Sequence, residues 1–335
     1  DAVATAPDAA ALKAVQDALP ALASALLADE ISALKIAGVI SQVLRDTTAR
    51  AAELAEAELA EAGWGGPPAP YALLVLGSGG RGESLLAADQ DNAIVHAGGD
   101  GDDRWFAELG KRVSDTLNAV GIPYCKGGVM ASKPQFRHSA QGWREQIARW
   151  LAHPDGQNLL NVDIFYDFRR ALGDGGLADE LRRDALEAAA RSPALLRMLA
   201  KNVEEAGSAI GYFGRLRTEG GRVDLKKGGL LPLVAFARVV ALKRGVADTA
   251  SSVRLNAAAQ GGAVPADEAD RLRQVQETLL GFVLEQQLAD IAAGVAPSTC
   301  VEPARLSRAQ RARLKEAIKS LDGLPLLVRD VLTAS

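Results

Sequence analysis

Apolar and polar positions change period along this chain. From residue 1 to about 62 the apolar positions recur at three-to-four spacing. Ile36, Ile40, Val43 and Leu44 fall on one side, and Arg45, Arg50, Glu53 and Glu56 supply the other. That spacing predicts packed amphipathic helices, with Pro20 as a break and a longer helix near residues 30–61. Gly63-Trp64-Gly65-Gly66-Pro67-Pro68 ends the pattern and reads as a linker. The period then collapses into an unbroken apolar run, Tyr71 to Leu76, between Pro70 and Gly77. Such a run suits a strand covered on both faces. A second strand begins at Asn92 and runs through Val95.

Beyond it, Phe106, Leu109, Val113 and Leu117 predict a helix over 103–120, ended by Gly121 and Pro123. Trp143, Ile147 and Leu151 predict another over 140–152. The apolar-rich stretch Asn161 to Arg169 reads as a strand, on which Asp163 and Asp167 share a face. From Leu177 the pattern is helical to the end, with helices near 230–244, 266–292 and 307–321. Breaks fall at Gly220-Gly221 and at Asp224-Leu225-Lys226-Lys227-Gly228-Gly229-Leu230.

Candidate chemistry concentrates between the first two strands. Gly77 permits a sharp turn and Ser78 offers a hydroxyl to an anion, with Gly79, Gly80 and Gly82 extending a permissive loop. With ten residues between, Ser78 is followed by Asp89-Gln90-Asp91. Alternation along an extended chain sends both carboxylates to one face and Gln90 to the other. Two such acids repel by about 4 kcal/mol at 4 Å with an effective dielectric near 20, so their placement at the head of a buried strand implies a cation, and hard oxygen donors favour Mg²⁺. Gly77, Gly79 and Gly82 also match a dinucleotide-binding fingerprint. That motif needs a crossover of about a dozen residues or more, and only Glu83 to Ala88 are available. A Walker-type phosphate loop is excluded by the missing G-K-[ST] ending.

Composition narrows the partners. The 335 residues are 48% hydrophobic, enough for one large or two ordinary domains. Aromatics are only 4%, which leaves the packing to Leu and Ala and favours helices. A net charge of −4 gives no basic field for nucleic acid, although Lys126, Lys133 and Arg137 make one neighbourhood locally basic. No unbroken run of 18 or more apolar residues and no signal-like N-terminus is present, so no membrane is expected. Cys125 and Cys300 are too few for a disulfide scaffold, which suggests a reduced, cytoplasmic setting. His96, His138 and His153 share no metal-ligand spacing. The chain starts at Asp1 and holds only two Met residues, as expected of a piece of a longer or processed protein.

Gly77-Ser78 followed after ten residues by Asp89-Gln90-Asp91 resembles the polymerase-beta-like nucleotidyltransferase superfamily. The segment GSGGRGESLLAADQDNAIV resembles the nucleotidyltransferases related to PII-uridylyltransferase, which in bacteria are commonly attached to CBS or cyclic-nucleotide-binding domains. Gly127-Gly128-Val129-Met130-Ala131, the Phe165-Tyr166-Asp167-Phe168-Arg169 segment with Gly173-Asp174, and Asp224 to Gly229 extend the resemblance over nearly the whole chain. It implies an α+β fold in which a small mixed-sheet nucleotidyltransferase domain (67–175) is flanked by an N-terminal helical segment (1–66) and a C-terminal helical, substrate-binding bundle (176–335). It further implies transfer of a nucleoside monophosphate from an NTP, of uridylyl or adenylyl type, to a hydroxyl acceptor on a protein, in signalling. Two Mg²⁺ ions, with Mn²⁺ an alternative, would lie about 3.5 to 4 Å apart on Asp89, Asp91 and a third acid that the resemblance places at Asp167 rather than Asp163. Gly77 and Ser78 would hold phosphates and Arg81 and Lys226 would face the nucleotide, with Glu83 orienting Arg81. Ala88 departs from the hydroxyl residue common at that position in relatives, which implies a reduced rate and not a loss of activity, since the carboxylates are intact. A catalytically silent nucleotide sensor is the alternative class.

Overall fold

The computed structural model describes residues 2–152, 156–206, 209–211 and 214–333; His153 and Asp1 lie outside them. The chain divides into two compact units, residues 1–23 with 37–188 and residues 24–36 with 189–335. The helical stretch before the linker contributes to both units.

Two helices open the chain, α1 (Ala9–Ala28) and α2 (Ala33–Glu61). Pro20, expected to break the first, lies inside α1. A helical proline costs about 3 kcal/mol, and the burial of Leu12, Leu19 and Ala23 on one face offsets it. The break comes instead at Glu30, whose φ of 58° turns the chain. Among the described residues α1 is the one helix long and apolar enough by composition to cross a membrane, although Lys13 and Asp17 pair on its surface at 2.7 Å.

The first unit is built on four strands: β1 (Tyr71–Val75), β2 (Asn92–His96), β3 (Arg137–Ser139) and β4 (Arg169–Gly173), in the order β3-β2-β1-β4. β1 pairs antiparallel with both β2 and β4, and β2 pairs parallel with β3. The expected mixed sheet is therefore present. The antiparallel β1–β2 pairing is what so short a connection allows. Between these strands lie α3 (Gly77–Arg81), α4 (Asp103–Ala119), α5 (Ala140–Ala152) and α6 (Gly156–Phe165), and α7 (Gly175–Ala190) follows β4.

The strand expected over 161–169 is not formed. Asn161, Val162, Phe165 and Tyr166 are buried, a helical spacing, and α6 carries the chain to Phe165 before a turn leads into β4 at Arg169. Several aromatic residues pack together here. Phe165 stacks on Trp143 with ring centroids 4.9 Å apart and packs edge-on to Trp150 at 5.6 Å. Trp143 donates from Nε1 to the Ile94 carbonyl at 2.9 Å, which fastens α5 to the sheet. Core packing has overridden the β-propensity of this stretch.

The second unit is helical: α8 (Pro193–Glu204), α9 (Leu231–Lys243), α10 (Ser251–Gln260), α11 (Ala266–Ala292), α12 (Arg308–Lys319) and α13 (Leu324–Thr333), with a two-stranded ladder of β5 (Val223–Asp224) and β6 (Cys300–Val301). The three C-terminal helices read from the sequence coincide with α9, α11 and α12 to within about two residues. α9 is buried from Pro232 to Leu242, and Ser307 and Gln310 close a capping box at the start of α12.

His96 and His138 serve the core of the first unit. His96 stacks on Phe106 at 4.3 Å, and His138 meets Trp143 edge-on at 5.0 Å. Burial, aided by the charge of Arg149, pushes the His138 pKa down to about 4. The unfolded imidazole takes a proton near 6.5 while the folded one stays neutral. The stability His138 contributes is therefore complete above pH 6.5 and lost as pH falls toward 4. Between pH 7 and 4.5 the melting temperature should drop, and His138→Gln should reduce that drop by about 2 °C or more. An unchanged acid profile in the variant would contradict the assignment.

Candidate active site

Along Asp89 to Asn92 burial alternates as expected, with Gln90 and Asn92 buried. The inward pair is held by hydrogen bonds. Gln90 donates from Nε2 to the carbonyls of Ser114 (2.9 Å) and Ile122 (3.0 Å), and its N–H donates to the Pro123 carbonyl. The Asn92 N–H donates to the Val129 carbonyl, and Asn92 Oδ1 accepts from Ala131 N–H at 2.8 Å. With both amides committed inward, Asp89 and Asp91 are left on the opposite side, Asp89 exposed and Asp91 half-buried.

Locking the 122–131 loop to this segment has a consequence the linear pattern does not show. Cys125 is carried to the acids, and one ligand atom from each of Asp89, Asp91 and Cys125 lies within 4.8 Å of the others. In the sequence Cys125 is only a small residue in a glycine-rich loop. Burial first, then the charge and hydrogen bond of Asp91, push its thiol up to about 12.

The expected open loop after β1 is a five-residue helix, α3, because Gly80 N–H reaches the Leu76 carbonyl and Glu83 N–H the Ser78 carbonyl. Two of its glycines are there for space. A Cβ on Gly77, whose φ is 56°, would lie 2.6 Å from Asp91 Oδ2, and one on Gly80 would lie 1.7 Å from the Asp167 carbonyl oxygen. Gly77 thus lets Asp91 approach the turn, and Gly80 lets the turn seat on the chain entering β4. Ser78 Oγ lies 2.9 Å from Ser84 Oγ, and Ser84 N–H donates to Ser41 Oγ.

Arg81 leaves α3 inward. Its Nε donates to Glu83 and its Nη1 to Asp167 Oδ2, both at 2.7 Å. Glu83 therefore partners Arg81 as anticipated. Asp167 is wholly buried and does not join the Asp89–Asp91–Cys125 group. Burial alone would lower the Arg81 pKa, but the charges of Glu83 and Asp167 outweigh it and hold the guanidinium above its ordinary value. Asp163 lies on α6, and Lys226 is exposed in the second unit. There Asp224 Oδ1 accepts the backbone N–H groups of Lys226 and Lys227 at 3.0 and 3.1 Å.

Helix α2 contributes a further group that periodicity could only read as polar face. Arg45 lines a small cavity with Ser41, Ser78, Asp89 and Asp91. Burial and the neighbouring charge of Arg169 lower its pKa. Arg137 differs again: it is buried in an ion pair with Asp103 (2.7 Å) and bonded to the Ala131 carbonyl, a structural role rather than a basic surface.

The glycine-serine turn that follows β1 and the two carboxylates that precede β2 lie at the same end of the antiparallel hairpin, where Val75 pairs with Asn92 and the Leu76 N–H donates to the Asp91 carbonyl. Residues 17–157 match the family described as Putative nucleotidyltransferase DUF294, and residues 193–330 match its companion, described as Putative nucleotidyltransferase substrate binding domain. The chain belongs to this nucleotidyltransferase family. No curated protein matches it.

Two predictions follow from the packing around α3. Gly80→Ala should destabilise by well over 1 kcal/mol, whereas Gly79→Ala, where the nearest atoms to a Cβ are 3.9 Å away, should be neutral or slightly stabilising; chemical denaturation of both variants measures this, and equal effects would contradict the geometry. Removing Arg81 leaves two carboxylates buried together, so Arg81→Ala should cost about 3–5 kcal/mol in the same assay.

Proposed function

We propose that this chain transfers a nucleoside monophosphate from an NTP to a hydroxyl acceptor, with pyrophosphate leaving. The observation carrying this reading is the convergence of Asp89 and Asp91 beside the Gly77–Ser78 turn. Their carboxylates suit Mg²⁺, with Mn²⁺ the alternative, because Mg²⁺ is commonly held by one or two carboxylates, waters and substrate phosphates. A bound divalent cation would offset triphosphate charge and lower the pKa of the attacking hydroxyl. Asp89, the exposed member of the pair, is suited to take the acceptor's proton. Gly77 and Ser78 would meet the outer phosphates, with Arg45 beside them.

Asp167 enters this reading through Arg81, as a positioning residue for the turn, and not as a metal ligand. Arg81 in turn acts on the phosphates through the turn it braces. Lys226, a protein acceptor, uridylyl or adenylyl specificity, a signalling role, attached CBS or cyclic-nucleotide-binding regulatory domains, a cytoplasmic location and the 67–175 catalytic boundary rest on the family resemblance.

One observation favours a second reading. With Asp167 engaged by Arg81, the convergent set holds two carboxylates and a thiol rather than three carboxylates, which suits a sensor that binds NTP without turning it over. Release of pyrophosphate separates the two.

A thermal-shift panel of the four NTPs with and without Mg²⁺ should show metal-dependent stabilisation for at least one, since a ligand at 100 times its Kd adds about 2.7 kcal/mol. Asp89→Asn and Asp91→Asn should each abolish that response and lower any pyrophosphate release at least about 100-fold, while melting at or above the parent temperature because a like-charge repulsion is relieved. Parent-like turnover in both variants would sink the proposal.

A further inference from the structure

Cys125 has two sides. One faces the acids, and the other lines a cleft of about 1010 Å³ in the first unit. Its walls come from the linker before β1, the exposed face of α4 and the loop locked by Gln90 and Asn92. Two aromatic side chains border it. Trp64 is 37% exposed and Tyr124 43% exposed, unlike Trp105, Trp143 and Trp150, which are buried. Four cations line the same space, Arg104, Lys111, Lys126 and Lys133, against the acids Glu108 and Asp115. The Arg104 guanidinium lies 5.0 Å from the centre of the Trp64 ring, and Tyr124 is steadied by a 2.8 Å hydrogen bond from its hydroxyl to Asp115.

A cleft with accessible aromatic faces and a surplus of cations, opening beside a carboxylate pair, has the chemistry to receive a nucleotide. Bases stack on aromatic rings regardless of sequence, and lysines meet phosphates as point charges. We propose that this cleft holds the nucleoside end of the NTP, the base resting against Trp64 and Tyr124, with Lys126 and Lys133 meeting the phosphates as they turn toward Asp89 and Asp91. The assignment rests on the transferase reading above and names the residues that recognise its substrate.

Trp64 allows the test to be read directly, being the one tryptophan among the described residues that is not buried. The full chain is titrated with each of the four NTPs in the presence of Mg²⁺, following heat by calorimetry and tryptophan emission in parallel. Inorganic tripolyphosphate with Mg²⁺ serves as the base-free probe. An NTP that binds by heat should also quench the emission. Trp64→Ala should weaken its affinity about tenfold, Trp64→Phe should restore most of that, and neither should alter tripolyphosphate binding. Lys126→Ala and Lys133→Ala should weaken both probes. If NTP binds by heat while emission and the affinity of Trp64→Ala stay as in the parent, the cleft assignment is overturned and the transferase reading stands. If none of the four NTPs produces heat or a thermal shift with the parent chain, the transferase reading itself falls, and this assignment with it.

Discussion

Two amide side chains hold the active region together. Gln90 and Asn92 bond inward to the 114–131 stretch, and each lies directly beside an acid. A buried amide left without its partners costs about 1–3 kcal/mol, so the segment has little freedom to rotate, and its alternation then fixes the side on which Asp89 and Asp91 emerge. The same bonds draw Cys125 against the acids and shape one wall of the cleft. Carboxylate geometry, thiol and cleft are therefore consequences of a single strand-head being gripped on its inner face.

Behind that face lies a second constraint of opposite character. Arg81 is enclosed by Glu83 and Asp167, and ion pairs so deeply buried contribute little net stability because desolvation consumes most of the Coulombic gain. What such an arrangement does provide is a fixed direction: the short helix α3 is tied at its end to the chain entering β4, and the close seating of Gly80 on Asp167 sets their separation. The turn that would face phosphate is thereby braced from behind.

Much of this was legible in the sequence where local chemistry and packing agree. The apolar run Tyr71 to Leu76 became β1 within one residue, and the short connection to Asp89 dictated the antiparallel partner. Alternation at Asp89 to Asp91 was readable because extended backbone has one period whatever surrounds it. The failures share a cause as well. Asn161 to Arg169 offered both a period of two and a period near four, and the choice was made by Trp143 and Trp150, which are distant in sequence. Pro20 was judged by its local cost, while the face it shares with Leu12 and Leu19 decided the outcome. The ion pair of Asp167 with Arg81, 86 positions earlier, likewise had no local signal. Cys125 and Arg45 carried no linear signal, since Cys125 meets the acids, and Arg45 shares a cavity with them, only through tertiary structure.

The sheet has one further property, which follows from its outer strands. At one margin β3 is only three residues long, and at the other β4 opens with Arg169 and Arg170. A brief or charged margin is a poor template for a ladder with another polypeptide. The apolar interior of β1 and β2 is thus flanked by strands that discourage intermolecular β-pairing, a safeguard against aggregation for a fully buried hairpin.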